Sequence, residues 1–321
     1  MDRRRRRTRA LTAAVLVAAS TCLAADAAPP LRALLWVAAD ADPMRAFATA
    51  PAECLRQAPD PATAQAIEVG RAAFRAPTLL GGQAARARLT CESCHRSGRD
   101  NPDFSFPGAS GVPGTADVTL SLFSSHRGNG VHDPRPIPDL SGPRDRLKVA
   151  PTNLPGFIRG LIVEEFDGPP PSPATLTGLA AYVSALEPAA CPRAGRRPVT
   201  LVATFDDARR AVLAARAQLA NGDRPTSVLM IASARAQLGL IDERFGALPA
   251  DRARLRAADA GLATLQSAVR ENASQALPRL DRWLAALPAL EAALAAREDR
   301  SLFNPAQLAR AANRRLPPKA S

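Results

Sequence analysis

Aromatic side chains are scarce in this chain: one Tyr, two Trp and ten Phe among 321 residues. A core of stacked rings is therefore excluded. So is a nucleic-acid surface of the kind that stacks bases on aromatic side chains along a basic stripe, and no recognition motif for nucleic acid occurs. Lysine is nearly missing. Only Lys148 and Lys319 occur, so Arg supplies the formal net charge of +12. Methionine is confined to Met1, Met44 and Met230, and histidine to His95, His126 and His132. No internal apolar run approaches the roughly 20 residues that a membrane helix needs, so no stable span is expected in the mature chain. Long β-branched runs are also absent, while Ala and Leu abound. That balance favours helix over sheet and predicts an all-α fold.

The first 27 residues hold six Arg and two Asp, a net of +4, leaving +8 of the +12 for the rest. Arg3–Arg7 and Arg9 form a positive stretch, Leu11–Leu23 a short apolar one, and Ala25-Asp26-Ala27 a small-residue cleavage site. This is the order of a secretory signal peptide over 1–27, with the cut after Ala27, and it predicts export to the periplasm. Cys22 leaves with it. Cys54, Cys91, Cys94 and Cys191 remain, in a compartment where free thiols pair.

Three regions follow. Residues 28–60 are a lead-in with Pro-punctuated loops. Residues 61–192 hold all three histidines and most of the Gly and Pro turns. In this region Pro61–Ala76 reads as a helix and Ala84–Leu89 as a short one running into Cys91. Some sixty residues from Ser97 to Pro155 read as loop by their turn chemistry, long for a compact domain. Helices are expected over Gly156–Glu165 and Ser172–Leu186. Residues 200–316 are Ala- and Leu-rich with helical periodicity. The sets Phe205, Ala208, Val212, Ala215, Leu219; Ile231, Ala234, Leu238, Ile241, Phe245; Leu255, Ala258, Leu262, Leu265, Val269; and Leu280, Leu284, Leu287 each share one face. Pro288 should kink or end the last of these. Asn221-Gly222 reads as a helix stop and Asn304-Pro305 as a helix start. Short connections imply an antiparallel helical bundle.

The string Cys91-Glu92-Ser93-Cys94-His95 carries the chemistry. C-x-x-C-H is the haem c attachment signature. Two residues between the thiols let both sulfurs reach the vinyl groups on one porphyrin edge, and the next residue places an imidazole beneath the iron as proximal ligand. The motif occurs once, so one covalent haem is expected. Two rival readings use the same residues: a Cys91–Cys94 disulfide or redox pair, and a zinc site from Cys91, Cys94, His126 and His132.

The second axial ligand is open. No Met lies between His95 and Met230, and Met230 sits in a core-like run. His126 and, after it, His132 are the candidates, with Met44 and Lys148 behind them. The alternative is an iron left open on that side. Arg96, Arg99, Arg127 and Arg135 are candidates to pair with haem propionates. Cys54 and Cys191 bracket the region, and a disulfide between them would close it.

The stretch 61–190 resembles the c-type cytochrome domain and, more distantly, the di-haem cytochrome c peroxidase and MauG-like group. The resemblance rests on Gly70–Phe74, Leu79–Gly82, Leu89–His95, Pro136–Leu140, and Phe157–Gly168 running into Leu176–Leu186, a small-residue helix bearing Tyr182 that packs across the first helix. It implies the small all-helical cytochrome c fold, with Cys91 and Cys94 as attachment residues and His95 as iron ligand. The di-haem group carries two such motifs and this chain one. The expectation is therefore a periplasmic mono-haem electron carrier serving an unidentified redox partner protein. A haem enzyme or sensor with an open distal site, peroxidase-like or gas-binding, is the alternative.

Overall fold

The computed structural model describes residues 36–142, 149–191 and 195–313. The expected signal peptide, Lys148 and Lys319 lie outside them. The described residues are mostly helical, with 58% helix against 5% strand, and no described helix is long and apolar enough to cross a membrane.

Helix α1 (Pro61–Phe74) starts where the sequence places it. Asp60 is extended and accepts from Thr63 N at 2.8 Å, and Pro61 takes the first helical position, where its missing N–H costs nothing. The next helix, α2 (Gly82–Arg86), ends earlier than expected because Arg88 turns into the left-handed region at φ 59°. A four-residue helix, α3 (Cys91–Cys94), carries the motif. The helix expected over 156–165 is split into α4 (Leu154–Gly160) and a wider π-helical turn, Leu161–Glu165. Helix α5 (Pro173–Ala185) follows, capped by Ser172.

Helices α1 and α5 cross at glycine. A Cβ on Gly70 would lie 1.9 Å from the carbonyl oxygen of Gly178, so only glycine permits this approach. Phe74 and Tyr182 meet beside the crossing with ring centroids 5.1 Å apart. The long loop is not free-standing. Strand β2 (Thr115–Ala116) pairs antiparallel with β3 (Arg135–Pro136), and Phe104, Phe106 and Phe123 are buried beneath the loop. A row of aromatic rings runs here from Trp36 through Phe106 and Phe123 to Phe166, at centroid spacings of 4.3, 5.1 and 5.5 Å.

The C-terminal region comprises α6 (Leu201–Ala220), α7 (Arg224–Arg244), α8 (Pro249–Arg270), α9 (Ala276–Ala295) and α10 (Pro305–Asn313). Each set of apolar residues predicted to share a face lies in the core or against it. Asn221 and Gly222, the latter at φ 81°, end α6. Asn304 Oδ1 accepts from Ala306 N at the start of α10. Pro288 does not end α9, which continues to Ala295. Helix α6 packs on α7, α7 on α8, and α9 on both α6 and α8; α1 packs against α6 and α7. One buried apolar cluster consequently runs from Ile67 through Tyr182 and Phe205 to Leu294.

Cys54 and Cys191 form a disulfide with Cα atoms 5.5 Å apart, as the sequence suggested. Around it, β1 (Thr49–Pro51) pairs with β4 (Arg196–Pro198) and Leu55 bridges Leu186. The lead-in is thereby tied to the segment after α5.

Candidate functional site

Helix α3 is short because its caps hold it at both ends. Thr90 Oγ1 accepts from Ser93 N at 3.2 Å, and Ser93 Oγ accepts from Thr90 N at 3.0 Å, a reciprocal capping box. At the other end His95 N donates to Cys91 O at 2.8 Å. Ser97 and Gly98 then take positive φ of 56° and 74° and reverse the chain. Cys91 and Cys94 stand three residues apart on this single turn, so their side chains share a face. Both thiols are free and half-buried. A Cys91–Cys94 disulfide is therefore not formed; the disulfide among the described residues joins Cys54 and Cys191.

The imidazole of His95 is oriented from a distance of 43 residues. Its Nδ1 lies 3.0 Å from the carbonyl oxygen of Pro138. That oxygen can only accept, so Nδ1 carries the proton and Nε2 keeps its lone pair. Pro138 is placed by the short ladder: β3 ends at Pro136, Ile137 N donates to Gly114 O at 3.0 Å, and Leu140 N to Gly98 O at 3.1 Å. Arg99 Nε holds the neighbouring Asp139 at 2.6 Å.

The three side chains share a neutral setting. Burial pushes both thiols up to about 12. Burial likewise pulls the imidazole of His95 down to about 4, against the Pro138 hydrogen bond and the charge of Asp139. A thiol held protonated does not suit a redox nucleophile, whereas an uncharged thioether is at home in such a setting. A neutral imidazole is the form that ligates a metal.

Glu92, between the two cysteines, points elsewhere. Its Oε1 accepts from Ser97 N at 2.9 Å and its Oε2 lies 3.3 Å from Arg75 Nη2. Arg75 is buried and also holds Glu53 at 2.8 Å, while Arg71 reaches Glu53 at 2.7 Å and Asp207 of α6 at 2.6 Å. Tyr182 donates to Glu53 at 2.6 Å. Burial opposes the charge on Glu53, but the two guanidiniums and the Tyr182 hydroxyl prevail and its carboxyl falls to about 2.

No family model matches the chain, and no curated protein or solved structure is similar to it.

The remaining sequence candidates are dispersed. His126 is 61% exposed, with Nε2 3.9 Å from Asp167 Oδ1, and His132 is exposed on the same loop. Met230 is fully buried in α7, and Met44 packs on a separate small cluster around Phe47. Among the described residues, no three His, Cys, Asp or Glu side chains converge on a metal position, so the zinc arrangement of Cys91, Cys94, His126 and His132 is not formed. A porphyrin iron asks only one or two ligands of the protein, and His95 is unaffected by that result. The four arginines proposed for propionates have other partners: Arg96 the Ala46 carbonyl, Arg99 Asp139, Arg127 Glu164, and Arg135 Asp133. No local pattern marks Pro138 as the partner of His95 or Glu92 as the partner of Arg75. The Thr90/Ser93 box was the one local signal available.

Proposed function

We propose that the chain is an exported mono-haem c-type cytochrome, with haem c attached at Cys91 and Cys94 and His95 as proximal ligand. One observation carries the reading. Directly after two free thiols on one turn stands an imidazole whose Nδ1–H is spent on a backbone carbonyl, leaving Nε2 to ligate. Metal-bound histidines are held in this way, because the outer hydrogen bond fixes tautomer and ring direction and raises ligand basicity. The Gly70–Gly178 crossing of α1 and α5, with Phe74 between Tyr182 and His95 at centroid distances of 5.1 and 6.4 Å, supports the likeness to a cytochrome c domain. Helix α4 adds to it: Phe157 is 40% exposed, and Leu154 and Ile158, like Cys91, Cys94 and Leu140, are only partly covered at the edge of the core. Such a surface suits a flat apolar cofactor.

When bound, haem supplies reversible one-electron chemistry at iron. The protein's share is to hold the imidazole neutral and oriented, to keep the thiols uncharged, and to exclude water from the α1 and α5 side through Phe74 and Tyr182. Electron transfer to a separate redox partner protein is the activity this arrangement serves.

A second reading has its own observation. Met230 is enclosed in the core and His126 and His132 face solvent, so the described residues offer no evident second axial side chain. An iron with an open position would bind peroxide or a small gas. Mass spectrometry and the pyridine haemochrome spectrum of periplasmically matured protein test the cofactor: one added porphyrin is expected, and none would end the proposal. The same sample with carbon monoxide separates the readings. An unchanged low-spin spectrum supports the carrier, and a ligand-bound spectrum the open site.

A further inference from the structure

On the face of α3 turned away from the thiols lies a cavity of about 560 Å³. Thr90, Glu92, Ser93 and Arg96 line one side of it, and residues of α6 and α7 the other; Cys91, Cys94 and His95 do not line it. Its charges are unevenly matched. Every lining carboxylate has an arginine: Arg71 holds Glu53 and Asp207, Arg75 holds Glu92, Arg88 lies 3.7 Å from Glu243, and Arg209 pairs with Asp206. Three lining guanidiniums, those of Arg96, Arg197 and Arg244, have no carboxylate partner among the described residues.

Two of these cations are held close together by neutral groups. Arg96 Nη1 donates to Ala46 O at 2.5 Å and Arg244 Nη2 to Phe47 O at 2.6 Å, two successive carbonyls of one turn. Arg244 also donates to Leu302 O and lies 4.8 Å above the Phe303 ring. A buried guanidinium with no carboxylate in direct contact gains from an anion placed beside it, and a guanidinium fork matches two oxygens of a carboxylate or phosphate.

We propose that this cavity binds a small oxyanion, a carboxylate or a phosphate, between Arg96, Arg197 and Arg244. Such a ligand bridges the motif-bearing segment and α7, so its binding fastens the C-terminal helices onto the α3 turn. The site does not depend on whether α3 carries haem.

The test is calorimetric titration and thermal unfolding of the matured full-length protein with inorganic phosphate and, separately, succinate, against chloride at matched ionic strength. Saturable one-to-one binding by one of these anions is expected, with a melting temperature that rises with its concentration. The anion that binds tells phosphate from carboxylate. Arg197 is exposed, so Arg197→Gln should fold, and it should weaken binding about tenfold, as should Arg96→Gln. If Arg96→Gln fails to fold, Arg197→Gln decides alone. No saturation by either anion up to about 10 mM, or wild-type affinity in Arg197→Gln, overturns the proposal.

Discussion

Glycine at 70 and the carboxyl at 243 show how single atoms set this structure. Gly70 has no room for a Cβ, because the Gly178 carbonyl oxygen would lie 1.9 Å from it, and that contact is backbone against backbone. Gly70→Ala must therefore push α1 and α5 apart. We expect a loss of about 3 kcal/mol in urea unfolding; an unchanged midpoint would show that the helices do not meet there. Glu243 behaves differently. Burial raises its carboxyl from 4.5 to about 7, only partly offset by Arg88. The native state therefore holds this proton more tightly than the unfolded state does. Its stability falls as pH rises from 4.5 to about 7 and stays lowered above that. Glu243→Gln should raise stability above about pH 7 by on the order of 2 kcal/mol and leave it unchanged near pH 4.5, which paired melts at the two pH values will show.

At the scale of the element, the local rules of helix ends explain most boundaries. Asp60 and Ser172 cap α1 and α5, Gly222 stops α6, and Thr90 with Ser93 sustains a helix of only four residues. Pro288 is the exception. It stands exposed within α9, where its ring denies Leu284 a hydrogen-bond donor, yet Leu280, Leu287 and Leu294 remain buried on one face and carry the helix through. Packing has overridden propensity. Pro288→Ala should therefore stabilise the protein by about 1–3 kcal/mol, seen as a higher melting temperature with no change in the rest of the fold. A lower melting temperature would mean that the proline itself is needed at this position.

Across the whole molecule, the motif-bearing region is joined to the C-terminal helices by a continuous apolar core, by ion pairs such as those of Arg71 and Arg75 to Asp207 and of Arg88 to Glu243, and by the backbone ties around the disulfide. Cys54 and Cys191 are 137 residues apart, and closing so long a loop restricts the unfolded chain by about 4–5 kcal/mol in the chain-entropy model. The double variant Cys54→Ser/Cys191→Ser should lose stability on that scale in denaturant melts. A change below about 1 kcal/mol would show that the bond does not restrict the unfolded chain on that scale.

Local chemistry alone determined the helical character, the apolar face of each C-terminal helix, the helix stop at Asn221-Gly222 and start at Asn304, and the candidacy of Cys91, Cys94 and His95. These follow from spacing along one segment, where 3.6-residue periodicity and i to i+3 neighbours are written directly into the order of residues. Tertiary structure alone decided that Pro138 orients His95 from 43 residues away, that Glu92 turns from the thiols toward Arg75, and that Arg96, Arg197 and Arg244 meet on one cavity. Such contacts depend on how distant segments close on one another, and no short-range pattern records which carbonyl or which guanidinium will arrive.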